Sequence, residues 1–185
     1  MIVAHERMAW KYSSNPNTPI VPGVNALLGD DVPTGWYLRD TGFFYTPQLY
    51  FLDNFSAFQI KYGDHLWPTV EHAYQAAKFP EQSTPWQVIG SAPSPHSAKK
   101  LAHQDEYADL HDPAWDTRKV EVMRTLLWCK VKQHEYVKRK LLATAHMRLV
   151  EDSPTDNFWG RGQTWEGENW LGRLWMEIRE ELRNV

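Results

Sequence analysis

The sequence predicts a helix-dominant α+β fold in a single domain with a small β-sheet. Three observations carry that expectation. The chain has 185 residues, 42% of them apolar and 23% charged, which suits one globular domain with a real core. Its β-prone segments come first and its helical periodicities follow, the order of an α+β fold rather than of alternating βαβ units. No segment repeats, and none is of low complexity.

Residues 1–35 read as an irregular lead-in, rich in Pro16, Pro19, Pro22, Gly23, Gly29, Pro33 and Gly35, ahead of a domain over residues 36–185. The aromatic run from Gly42 to Phe58 predicts one or two short strands, and Ala57–Tyr62, ending at Gly63-Asp64, predicts another. Pro68 is expected to open a helix over roughly residues 69–79, since proline suits a first helical turn. Ser94-Pro95 repeats that logic for a short helix through Leu101. Asp116 or Thr117 is expected to cap a longer helix to about Gln133, where Val120, Met123, Leu127 and Val131 follow helical spacing. Helix resumes from Glu135 to about Ala145, and residues 151–168 read as a polar loop carrying glycines and tryptophans. Asn169 is expected to cap a last helix with Leu171, Leu174, Trp175, Ile178 and Leu182 on one side.

Composition excludes several classes of function. The net charge of −3 gives no global basic field for nucleic acid or membrane. Met1–Trp10 carries His5, Glu6 and Arg7 where a signal peptide needs an apolar run. No apolar stretch nears the roughly 20 residues of a membrane span. Cys129 is the single cysteine, which fits a reducing cytoplasm, and its apolar flanks suggest a core thiol. His65, His72, His96, His103, His111, His134 and His146 show no metal spacing, and no G-x-G-x-x-G or P-loop occurs, so neither metal nor cofactor is expected. Lys130, Lys132, Lys138, Arg139 and Lys140 read as a solvated helix face. Of the 10 tryptophans, most are read as core filling; one in a loop among glycines and acids is a candidate platform for a flat ligand.

Two segments carry candidate chemistry. On a helix from Val70, Glu71, Gln75 and Lys78 fall within about 60° of one another, while Val70, Ala73, Tyr74 and Ala77 form a separate apolar arc. Such a helix buries one side and presents an acid, an amide and an amine on its edge, spanning about 10 Å along the axis. Spacing alone also fits a plain solvated face. The second segment runs from Leu149 to Gly162. Here Gly160 and Gly162 allow backbone N–H groups to approach an anion, Arg161 adds charge, and Asp156 either serves a ligand or bonds its own backbone as a turn.

These residues carry a resemblance. Tyr50–Phe55, Trp67–Phe79, Ser94–Leu101, Trp115-Asp116, Val122-Met123, Leu149–Pro154, Phe158–Gly162, Asn169–Gly172 and Met176–Arg179 follow in the order of the NADAR, or YbiA-like, family. The chain resembles that family over about residues 43–182. It departs at Asp53, where the family usually has serine, and at Trp170, where a smaller residue is commoner. The resemblance implies a YbiA-like fold and cleavage of an N-glycosidic bond between a phosphorylated ribose and an exocyclic base amine. Phosphoribosylamino-pyrimidine intermediates of riboflavin synthesis and ADP-ribosylated guanine are the implied substrates. By the same match Glu71 is the catalytic carboxylate, Lys78 a second catalytic group, and Asn54, Trp115 and Trp159 substrate contacts. The partner expected is thus a small phosphoribosyl or ADP-ribosyl molecule, or an ADP-ribosylated nucleic acid. The alternative reading is a non-catalytic ADP-ribose or nucleotide-binding module. The enzyme reading expects Glu71 and the Trp159 segment to wall one cleft.

Overall fold

The structure is a computed structural model that describes residues 41–44 and 46–184; the expected lead-in over residues 1–35 lies outside the described residues. In chain order the elements are β1 (Thr41–Phe43), a 3-10 turn (Tyr50–Leu52), β2 (Ile60–Tyr62), β3 (His65–Trp67), α1 (Val70–Ala76), α2 (Thr84–Gly90), α3 (Pro95–Leu101), a 3-10 stretch (Asp105–Leu110), α4 (Trp115–Gln133), α5 (Glu135–Ala143), β4 (Arg148–Val150) and α6 (Trp170–Arg183). Helix dominates, as the sequence predicts. Among the described residues the β part is two separate two-stranded sheets rather than one. The described residues divide into two compact units, central and flanking in sequence only: Asn54–Glu135, and the residues up to Asp53 together with those from Tyr136 onward.

The central unit opens on the antiparallel β2–β3 hairpin, registered by Ile60 opposite Trp67 and Tyr62 opposite His65. Its turn needs Gly63, whose φ of +59° is open to glycine without steric cost. Gln133 at the end of α4 stitches to the hairpin edge: Lys61 N–H donates to its Oε1 at 2.6 Å and its Nε2 donates to Lys61 O at 2.8 Å. α1 lies at the middle of the unit, packed by α2, α3 and α4. The helix starts at Val70, so Pro68 stands outside the first turn expected for it; Thr69 is the cap, its hydroxyl accepting from the His72 backbone N–H at 3.4 Å. The helix also ends at Ala76, three residues before Phe79. Beyond it the bonds shorten to i−3, with Lys78 N–H on Gln75 O and Phe79 N–H on Ala76 O.

α3 starts as predicted, with Ser94 Oγ accepting from Ser97 N–H at 3.1 Å. α4 begins at Trp115, one or two residues before the expected caps; Ala114 holds the cap position and its N–H donates to Asp112 Oδ1 at 2.9 Å. The buried residues of α4 are Trp115, Val122, Met123, Leu126, Leu127, Lys130 and Val131, and Cys129 is half-buried. Lys130 does not belong to the expected solvated face: it is fully buried, and its Nζ donates to Ser56 Oγ at 2.7 Å. Burial raises the Cys129 thiol pKa, away from the nucleophilic thiolate.

In the flanking unit β1 and β4 pair in parallel, Gly42 opposite Leu149. α6 packs on β4. Asn169 stands at its cap position, but in the left-handed region, with φ 54° and no side-chain bond to its own helix. Instead its Oδ1 accepts from Glu151 N–H and its Nδ2 donates to Leu149 O, both at 2.9 Å, clipping the helix start to the strand. Gly172 completes the approach, since a Cβ there would collide with the Leu149 carbonyl oxygen. Trp175 is fully buried with its Nε1 donating to Leu52 O at 2.9 Å. The buried Arg179 donates through Nη1 to Thr144 Oγ1 at 2.7 Å and Met147 O at 2.9 Å. Among the described residues no helix is long and apolar enough to cross a membrane.

Candidate active site

The edge of α1 carries the candidate site. Glu71 is 5% exposed, and Gln75, one turn on, donates from Nε2 to Glu71 Oε1 at 2.7 Å. This i,i+4 amide leaves Glu71 held in one orientation. Asn54 meets the same place through its backbone, where its carbonyl accepts from Glu71 N–H at 3.1 Å, and its Nδ2 lies 3.5 Å from Met123 Sδ. Asn54 Oδ1 and Gln75 Oε1 are buried acceptors without a hydrogen-bond partner. Each costs about 1–3 kcal/mol in that condition, a cost that a donor on a ligand would relieve.

Lys78 follows in the tightened turn, 7% exposed. Because it sits beyond the helix, the 10 Å axial spacing expected from a continuous helix does not apply. Its charge still couples to Glu71. Burial lowers the ammonium pKa to about 8; Glu71 pulls it up, and Lys99 and Lys119 push it further down. Lys78 Nζ stands 5.9 Å from the Tyr74 ring centroid, and Tyr74 packs at 5.1 Å on Trp115. So Glu71, Gln75, Lys78, Asn54 and Trp115 share the central unit, with Trp115 reached through Tyr74.

Two histidines flank this site, and they differ. His72 is buried on the other side of α1. Its Nε2 donates to Ala92 O at 3.1 Å, so Nδ1 is the acceptor for the Thr69 hydroxyl at 2.8 Å. Burial lowers its pKa, which keeps this ring neutral and structural. His103 follows α3 and places Nε2 at 3.4 Å from Lys78 Nζ. Spacing carries no signal of this pair, since the residues stand 25 apart and on different helical segments. The central unit also has a cleft of about 520 Å³ against Ala73 and Ala77, walled by Trp67, Trp86, Phe79 and Asp112. It lies along the opposite arc of α1 and includes neither Glu71 nor Lys78.

Asp156, Trp159, Gly160, Arg161 and Gly162 belong to the flanking unit, where the loop is folded on itself. Asp156 Oδ1 accepts from the N–H groups of Phe158 and Trp159 at 2.9 and 2.7 Å, the turn geometry anticipated for it. Gly162, at φ +66°, gives its N–H to Ser153 O and Asp156 O. Arg161 bonds Asp152 from Nε at 2.5 Å and Gly162 O from Nη1 at 2.9 Å, and its guanidinium lies 3.9 Å over the Trp165 ring. The first amides of α6 are taken by this loop as well: Trp170 N–H by Phe158 O, Leu171 N–H by Trp159 O. That helix start therefore has little left to offer an anion. Trp170 stacks on Phe158, with centroids 6.0 Å apart and 28° between planes, and so buttresses the turn that holds Trp159. Among the described residues no three His, Cys, Asp or Glu side chains gather as a metal site.

Comparison with known proteins bears on this arrangement. The NADAR domain matches residues 43–183. A riboflavin biosynthesis protein of Zea mays, chloroplastic PYRR, is 36% identical over 179 residues, which are 89% of this chain and 29% of that protein. The chain thus spans less than a third of that relative. A protein of Nostoc punctiforme named as an N-glycosidase is 39% identical over 134 residues, 71% of this chain and 85% of its own length. The NMR structure of YbiA from Escherichia coli superimposes with a TM-score of 0.70 at 34% identity, covering 78% of this chain and 86% of that one.

Proposed function

Because this chain belongs to the NADAR domain family, we propose that it is an N-glycosidase. It hydrolyses the bond between C1 of a phosphorylated ribose and the exocyclic amine of an aminated base. The observation that carries this reading is the buried pair on the α1 edge: a carboxylate fixed by Gln75, and an amine whose pKa burial brings to about 8. Burying both groups costs stability, and a pure binding module gains nothing from it.

The chemistry follows from those two groups. Ribose C1 bonded to an exocyclic amine is an N,O-acetal, which opens to an imine as the exocyclic N–H proton moves to the ring oxygen and that oxygen leaves as a hydroxyl. Neutral Lys78 adds to C1 through Nζ. Glu71 relays the two Nζ protons to the base nitrogen, the base leaves as the free amine, and Lys78 is left as an imine. Water then adds to C1, Glu71 passes the water protons to Nζ, and the C1–Nζ bond breaks to release the sugar aldehyde and the neutral amine. The net change is one water consumed. Donors on the ribose suit the acceptors Asn54 Oδ1 and Gln75 Oε1.

Trp115, which Tyr74 links to Lys78, is the proposed stacking partner of the base, a contact worth about 1–3 kcal/mol per base in nucleic-acid binding. Within the flanking unit Arg161 is proposed only as a charge for the phosphate, since Asp152 and Gly162 O take its Nε and Nη1 and the Arg161 and Gly162 N–H groups are bonded inside the loop, while Asp156 sets the Trp159 backbone. The net charge of −3 favours a small metabolite over a polynucleotide, whose affinity rests on phosphate neutralisation. The test is to incubate the purified chain with a phosphoribosylamino-pyrimidine and, separately, with ADP-ribosylated guanosine, followed by liquid chromatography with mass detection. Release of the base from either supports the reading. Binding without release from both refutes it.

A further inference from the structure

Lys78 presents a problem that its own surroundings resolve. An ammonium only 7% exposed must lose a proton before Nζ can attack, and it needs a route to water. His103 stands on that route. Its Nδ1 lies 2.7 Å from Lys99 O. A carbonyl oxygen only accepts, so Nδ1 carries the hydrogen and the neutral ring turns a lone pair at Nε2 toward Lys78 Nζ, 3.4 Å away. The side chain is exposed, so the ring has the buried amine on one side and solvent on the other.

From this geometry we infer that His103 is the proton relay of Lys78, taking a proton from Nζ to Nε2 and passing it to bulk water. The inference rests on the reading of Lys78 as the attacking amine. In the step one N–H bond of the ammonium breaks and one N–H bond of imidazolium forms. The positive charge moves from Nζ to the ring and leaves as hydronium or on buffer. The groups that face Lys78 are Glu71 on α1, Lys99 on α3, Lys119 on α4 and His103 itself; those that face His103 are Lys78, Lys99 and His111. Burial lowers the His103 pKa, with the Lys99 carbonyl opposing and the neighbouring cations adding to the fall. The ring is therefore in its accepting form at neutral pH and releases the proton readily.

The test uses the full chain with His103→Ala, a surface change whose folding is checked by thermal melt, turning over whichever substrate the wild type cleaves. Turnover at pH 7 is expected to fall about tenfold or more, within the range of lost acid–base help. Added imidazole restores it in a saturable way, and the deficit closes above pH 8, where solvent alone keeps Lys78 neutral. A rate equal to wild type, or a deficit that neither imidazole nor alkaline pH relieves, overturns the relay. Borohydride reduction of the wild type under turnover separates this from failure of the underlying reading. An adduct on Lys78 with an unaffected His103→Ala removes the relay alone; no adduct on Lys78 removes both.

Discussion

Lys78→Met exposes the energetic cost of the proposed amine. An unfolded lysine titrates near 10.5, whereas burial brings Lys78 to about 8 in the fold. The folded pKa is depressed, so the unfolded chain binds more protons between those values and stability rises with pH across that window. At pH 7 both states carry the charge and the fold bears the full difference, about 3 kcal/mol at about 1.4 kcal/mol per pKa unit. By pH 10 under about 1 kcal/mol of it remains. Methionine matches the lysine stem in length without the charge. The variant is therefore expected to be more stable than wild type at pH 7, by a margin that shrinks about 2–3 kcal/mol on going to pH 10. Urea unfolding of both proteins at the two pH values measures it, and comparing the margins cancels any difference in packing. A margin that does not change with pH would mean that Lys78 is not held near 8, and the nucleophile argument would lose its footing.

Other expectations follow from the same geometry. Glu71→Gln removes the proton shuttle and is expected to lower kcat by about 10²–10⁴-fold while the Kd for substrate changes little, as read by steady-state kinetics beside calorimetric binding. Wild-type turnover should rise with pH and level off near 8, as Lys78 becomes neutral; with Glu71→Gln the rise moves to lower pH, because the carboxylate that favours the ammonium is gone. Gly172→Ala pushes α6 off the Leu149 carbonyl and is expected to cost about 1–3 kcal/mol in urea unfolding. Asn169→Ala strips partners from Glu151 N–H and Leu149 O and is expected to cost about 2 kcal/mol or more.

The candidate site was readable in the sequence to the extent that it lies on one helix. Glu71 and Gln75 share an edge because i and i+4 always do, but spacing alone fits a solvated face as well, and it is the packing around α1 that buries the pair. Spacing assigns Lys78 to the same helix, yet Ala77 closes it, so its placement depends on a turn that spacing does not encode. His103 was unreadable, since nothing in Ala98–His103 tells which distant amine its ring will meet. The loop shows the opposite limit. Arg161 reads as a free cation in sequence, but Asp152, nine residues earlier, takes it. Among the elements, α3 and α6 announced themselves by cap residues and period. β3 and β4, three residues each, are too short to show alternation. α2 hides behind Pro85, which in this chain sits in a first helical turn rather than in a loop. Asn169 looked like an ordinary cap and proved to be a clip between helix and strand.

One measurement reaches the proposal at its centre. The wild-type chain is mixed with substrate, reduced with borohydride during turnover, digested, and the peptide holding Lys78 is weighed. A mass gain equal to the reduced sugar phosphate on Lys78 is the predicted result. Continued base release with that lysine unmodified would contradict an amine nucleophile at this position.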